Sequence, residues 1–230
     1  YIDGLGRSGA LAVEGRFTGT RLSPEFDMRF RGDRIRWNDF FVDSFVISGV
    51  YPESSDASLS LRLFSPQGAI AADGAVAISD LLTSPRFGEY TAKGKIINAD
   101  IGYLNRAAGS PLPISAATAS IVVNCSGNAT DTLCDDMNLT GTIEALSSSK
   151  KSIPSIALNG SLRDHFWKVS VQAGESRVFG SGRVTSDVHY SGVLGVSVPK
   201  IEEICGLFTR ERISGALSSE LSFRGSTSSF

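Results

Sequence analysis

The sequence predicts an all-β protein, built as a long curved antiparallel meander with two short amphipathic helices. Three observations point there. Apolar and polar residues alternate with a period of two over most of the chain. Turn-forming clusters recur between the alternating runs. Helical spacing of apolar residues occurs in only two short stretches.

The runs come in order. Leu11, Val13, Gly15 and Phe17 alternate with Ala12, Glu14, Arg16 and Thr18. Phe26, Met28 and Phe30 alternate with Asp27, Arg29 and Arg31, and Ile35 and Trp37 with Arg34 and Arg36. Leu59, Leu61 and Leu63 follow, interleaved with Ser58, Ser60 and Arg62. Trp167, Val169 and Val171 alternate with Lys168 and Ser170, and Leu217, Leu221 and Phe223 with Ser218, Glu220, Ser222 and Arg224. Each run sets apolar side chains on one face of a strand and polar ones on the other. One greasy and one wet face is the pattern of an antiparallel sheet, since a parallel sheet is covered on both faces. Turn signals such as Arg31-Gly32-Asp33, Ser65-Pro66-Gln67-Gly68, Ala72-Asp73-Gly74 and Gly174-Glu175-Ser176 give the rhythm of a hairpin-linked meander.

The two helical stretches are Ala99 to Ala108, with Asp100 as cap and Ile101, Leu104 and Ala108 on one face, and Pro199 to Phe208, with Ile201, Ile204, Leu207 and Phe208 on one face. They belong to an internal repeat. Tyr90, Ile101 and Leu104 match Tyr190, Ile201 and Ile204 at a separation of 100 residues. Ile114-Ser115 then matches Ile213-Ser214, and Cys125-Ser126-Gly127 matches Phe223-Arg224-Gly225. The shared unit is strand, short helix, strand, and it predicts an array that grows by adding strands. The expected segments are 1–98, 99–198 and 199–230, in one continuous β domain cut from a larger protein.

Composition excludes several function classes. The 230 residues carry a net charge of −2, with 20% charged residues, and Lys and Arg are scattered singly. That is no footprint for nucleic acid. No apolar run is long enough to span a membrane as a helix. The chain opens Tyr1-Ile2-Asp3 without an apolar leader, so any anchor or address is expected outside it.

No catalytic constellation emerges, and no enzyme, metal site or cofactor is expected. Gly4-Leu5-Gly6-Arg7-Ser8-Gly9 fits a dinucleotide-loop spacing, but an alternating strand follows it where a helix is required. His165 and His189 lie far apart and read as surface residues. Asp131, Asp135 and Asp136 lack calcium-loop spacing. The sequons at Asn124, Asn128, Asn138 and Asn159 arise easily in a Ser/Thr-rich chain. Cys125 and Cys134 flank a turn-rich stretch, so they fit a disulfide closing a hairpin and equally fit unrelated thiols, with Cys205 standing alone.

An alternating sheet normally buries its apolar face in a sandwich core. Here the apolar side chains are large and helices too few to cover a long sheet, which favours an open apolar groove able to hold acyl chains. Its expected lining is Phe26, Met28, Phe30, Ile35, Trp37, Leu59, Leu61, Leu63, Ile121, Val123, Trp167, Val169, Val171, Leu217 and Leu221. A closed β-sandwich or β-solenoid adhesin, binding through loops, is the alternative that alternation equally allows.

Strand-ending glycines in Val13-Glu14-Gly15-Arg16-Phe17, Leu139-Thr140-Gly141-Thr142-Ile143 and Leu158-Asn159-Gly160-Ser161-Leu162, with the strand–short helix–strand unit ending in Ile213-Ser214-Gly215-Ala216-Leu217-Ser218, resemble the TamB and AsmA-like envelope proteins. The likeness is diffuse and spans most of the chain. It implies a taco-like β-groove in the periplasm, tethered to the inner membrane by a segment outside this chain. It also implies transport of phospholipid toward the outer membrane. For the translocation and assembly module itself it implies a role in outer-membrane biogenesis and protein secretion, with an Omp85-type outer-membrane partner and nascent β-barrel proteins. The resemblance brings no catalytic residues, and the cysteine pair departs from the family pattern. A chaperone-like scaffold that captures β-barrel proteins by strand augmentation is the second expectation.

Overall fold

The structure is a computed structural model. It describes residues 8–20, 24–37, 40–52, 56–79, 84–103, 116–131, 134–147, 152–185, 189–202 and 213–226. Thirteen strands form one antiparallel sheet whose order follows the chain: β1 (Ser8–Gly19), β2 (Pro24–Trp37), β3 (Phe40–Tyr51), β4 (Asp56–Ser65), β5 (Gly68–Ser79), β6 (Arg86–Asp100), β7 (Ala116–Asn128), β8 (Asp136–Ser147), β9 (Ser152–Arg163), β10 (Phe166–Ala173), β11 (Ser176–Val184), β12 (His189–Val198) and β13 (Leu217–Ser226). The order is that of a meander, and it does not close on itself, since β1 and β13 end it. The strands run from 8 residues in β10 to 15 in β6, against a usual length of about 5–6.

Two of the expected turns form and two do not: Arg31-Gly32-Asp33 lies inside β2 and Ala72-Asp73-Gly74 inside β5, each paired on both sides, because ladder pairing overrides a local turn preference. Pro66-Gln67 joins β4 to β5, and Gly174-Glu175, with Gly174 at φ +58°, joins β10 to β11. Asp164 and His165 join β9 to β10 with φ values of +48° and +64°. Two positive φ angles in a two-residue loop mark the turn whose twist matches that of the strands. The alternating Ala10–Val13 stretch lies in β1, so a strand follows the glycine-rich Gly4–Gly9 segment.

The chain divides into two compact units, residues 1–97 with 124–132, and residues 98–123 with 133–230. The first holds β1 to β5, most of β6 and the end of β7. The second holds β8 to β13, the end of β6 and most of β7. Residues from 199 onward fall in the second unit beside β8–β12.

The two amphipathic helices are a correction. Among the described residues, helical geometry covers only Ile101–Tyr103 and the pair Ile201–Glu202. At the first, the Tyr103 amide donates to Asp100 Oδ1 at 2.8 Å, so the expected cap is present at the start of a single turn. The rest of both stretches, including Leu104, Ala108, Ile204, Leu207 and Phe208, lies outside the described residues. Helical spacing without the length of several turns gives no independent helix.

The cysteine pair stands as two half-buried thiols, with no bond between Cys125 and Cys134. Cys205 lies outside the described residues.

Among the described residues no large side chain is fully buried, and the buried apolar set is Tyr51, Ile78, Ala99, Ala117, Ala119, Leu162 and Val198. A two-sheet sandwich would sink whole stripes into a dry core. These strands all belong to one sheet.

Candidate functional site

Side chains of residues paired across antiparallel strands stand on the same face, so the register carries a face from strand to strand. In the first unit the apolar face can be followed through six strands. Phe17 pairs with Phe26 and Phe26 with Tyr51. Val13 pairs with Phe30, then Ile47, then Leu61, then Ala72 and Gly94. Leu11 leads through Gly32, Phe45, Leu63 and Ile70 to Ile96. The opposite face carries Glu14, Arg29, Ser48, Ser60, Asp73 and Lys93 in the same rungs. Six of the expected lining residues, Phe26, Met28, Phe30, Leu59, Leu61 and Leu63, share the apolar face.

The second unit has its own apolar face. Leu139 pairs with Gly160, then Val169, Gly180, Leu194 and Leu221. Leu158 leads through Val171 and Val178 to Val196, and Val198 pairs with Leu217. Trp167, Val169, Val171, Leu217 and Leu221 are thus brought together. Ile121 joins them, because a Cβ placed on Gly141 would lie 3.1 Å from its Cγ1. Val123 stands two residues further along β7, on the same side by alternation.

Beyond Arg34, at φ +52°, Ile35 and Trp37 pair with Val42 and Phe40. A Cβ placed on Gly9 of β1 would meet Ile35 Cδ1, so the Ile35 side chain lies beside that strand. The Trp37 side chain lies outside the described residues.

Sequence reasoning missed the glycine rows. Gly182 and Gly192 occupy one rung between Trp167 and Phe223. A Cβ on Gly182 would stand 2.8 Å from Trp167 Cε2, so the indole lies over the bare backbone. It stacks on Phe223 at 6.0 Å and 21°, and Phe223 meets Tyr190 at 6.3 Å. Gly32 under the Phe45 ring repeats the device in the first unit. Glycine within a strand interior signals such close approach, but only register names the partner.

The faces are half-open. Leu59 is 59% exposed, Leu221 60% and Val169 39%, while Leu61, Leu63, Trp167 and Val171 are half-buried. The described depressions, of about 480 Å³ each, lie instead over the polar side of the second unit, lined by residues such as Asn138, Ser161 and Lys168.

Electrostatics is sparse. Asp73 accepts from Arg62 at 2.7 Å and from Ser60 at 3.0 Å. The Arg62 hydrogen bond, seconded by Ser60, holds its carboxyl below the ordinary value of 3.8. Among the described residues no group of three or more metal-ligating side chains assembles, and no helix is long and apolar enough to cross a membrane. His165 sits exposed in its turn and His189 exposed at the start of β12.

Comparison of the chain with protein-family models, curated proteins and solved structures gives no match. The sheet and its two-sided chemistry therefore carry the functional argument.

Proposed function

We propose that the protein is a cell-envelope scaffold of the TamB and AsmA-like type, which shields lipid acyl chains on its apolar sheet faces during transport between inner and outer membrane. The supporting observation is the register-aligned apolar face in each unit, which leaves large side chains half-exposed. Acyl chains laid on such a face are removed from water at a gain of about 0.8 kcal/mol per CH₂. Headgroups stay in water, so movement along the face is passive and needs no catalytic residue. A curved, taco-like arrangement of these faces, a periplasmic location with an inner-membrane tether, and an Omp85-type partner in outer-membrane biogenesis and protein secretion belong to the same proposal.

The test is photo-crosslinking to phospholipid. Leu61→Arg and Val169→Asp each put a charge in the middle of an apolar face and are expected to cut crosslinking severalfold while far-UV circular dichroism stays that of the parent. Equal crosslinking in variant and parent overturns the reading.

A second reading is favoured by the ends of the strand order. β1 and β13 each have one neighbour in the sheet, and an end strand is a template for strand addition. In that reading the protein captures nascent β-barrel strands. Proline substitution in β1 should then abolish capture and leave lipid crosslinking intact.

A further inference from the structure

The polar face of the second unit holds a cluster that the acyl-chain reading does not use. Ser161, Lys168 and Ser181 stand side by side on β9, β10 and β11. One step along, Arg163 and Arg183 pair with Phe166 from either side. Ser161, Arg163, Phe166, Lys168 and Arg183 line a depression of about 480 Å³, whose wall also holds Asp136, Asn138 and Asp164, while Ser181 lines the second depression beside it. A second depression of about 480 Å³ shares Asn138, Ser161 and Lys168 and adds Arg177. The two make one polar trough centred on Lys168.

The charges in it are unevenly matched. Arg163 is engaged by Asp136 at 3.4 Å. Arg177 donates to Ser170 Oγ at 3.4 Å and lies 5.2 Å from the Phe179 ring centroid. Lys168 and Arg183 make no ion pair or side-chain hydrogen bond among the described residues. Lys168 is diagonal to Arg183 across the β10–β11 pair, a separation of about 7–8 Å that long side chains close easily. Two unengaged cations thus share one concavity with two flanking hydroxyls.

We propose that this trough binds a phosphate group, as a phosphate monoester or diester. A tetrahedral oxyanion offers several acceptors at once. The Lys168 ammonium would meet one oxygen, the Arg183 guanidinium two, and the Ser161 and Ser181 hydroxyls donate from either side. Asp136 Oδ2 pairs with Arg163, but its Oδ1 is buried without a hydrogen-bond partner, so Asp136 and Asp164 both oppose an anion and the three cations of the lining outnumber them by one. The inference stands apart from the acyl-chain reading, because it concerns the other face of the sheet.

Isothermal titration calorimetry of the full chain tests it with two probes, inorganic phosphate and dihexanoyl phosphatidic acid below its micelle concentration. Saturable binding is expected, weakened about tenfold by Lys168→Gln or Arg183→Gln, as the loss of a charge-assisted hydrogen bond implies. Lys93→Gln, on the polar face of the first unit, is the control and should bind as the parent does. Ser181→Ala keeps the charge and should weaken binding less, which guards against a misfolded variant. Similar affinity for both probes identifies a soluble phosphate compound, and a clear preference for the lipid identifies a headgroup. No saturable binding of either probe, or equal binding by parent and Lys168→Gln, overturns the proposal.

Discussion

Single residues fix the turns and the approach of neighbouring strands. At the β9–β10 hairpin, Asp164 and His165 both take positive φ. For an L-residue with a side chain this conformation is strained, and Gly relieves it. His165→Gly is therefore expected to stabilise the protein by about 0.5–1 kcal/mol, read as a raised Tm. Gly182 is the opposite case. A Cβ there meets the Ser191 carbonyl oxygen, lies 2.7 Å from Gly192 Cα and displaces the Trp167 indole. Gly182→Ala should cost about 1–3 kcal/mol, the usual scale of overpacking, in chemical denaturation. Asp73 sets a pH dependence. Its folded pKa is depressed, chiefly by the Arg62 hydrogen bond, so its contribution to stability is full above the ordinary value of 3.8 and is lost as pH falls through the depressed value. Asp73→Asn should lower Tm at neutral pH, and the gap from the parent should close in acid.

At the scale of elements, the strand is the unit of meaning and its alternation decides which chemistry each face shows. β4 presents Leu59, Leu61 and Leu63 to one side and Ser58, Ser60 and Arg62 to the other. Leu61 sits between Ile47 and Ala72 in register, so Leu61→Arg places a charge among apolar neighbours without breaking a backbone pairing. Alanine at the same site only shortens the side chain. Leu61→Ala is expected to reduce lipid crosslinking less than Leu61→Arg does, a graded response that a backbone-mediated role would not show. The expected repeat would be read at this scale, since β6 and β12 carry Tyr90 and Tyr190 and helical geometry is described after them at Ile101–Tyr103 and at the pair Ile201–Glu202.

For the whole molecule, large apolar side chains stay in contact with solvent, among them Leu11 at 74% and Phe17 at 74% exposure. Contiguous apolar surface of this kind marks a binding site. Native mass spectrometry of the purified protein is expected to show co-purified phospholipid or detergent. Removing it should raise binding of an apolar dye, and adding phospholipid back should reverse that rise. A protein that is lipid-free as isolated and silent to dye would contradict the acyl-chain reading.

The sequence by itself determined the all-β class, the antiparallel meander and the hairpins at Pro66-Gln67 and Gly174-Glu175, because alternation and turn chemistry are local, whereas Gly32 and Gly74 read as turns and lie inside strands. Thirteen of the expected lining residues were legible for the same reason, from Phe26 and Met28 to Leu217 and Leu221, and lie on the apolar faces traced by register and alternation. The positive φ at Arg34, just before Ile35 and Trp37, leaves no mark in an alternation pattern. The helices were overread because apolar spacing says nothing of length. The Cys125–Cys134 spacing could not say whether a bond forms, since bonding depends on Cβ geometry. Tertiary structure alone decided the rest. Register is a non-local property, and only it aligns Leu139, Val169, Leu194 and Leu221 in one row, lays Trp167 over Gly182, and sets Lys168 diagonal to Arg183 on the polar face.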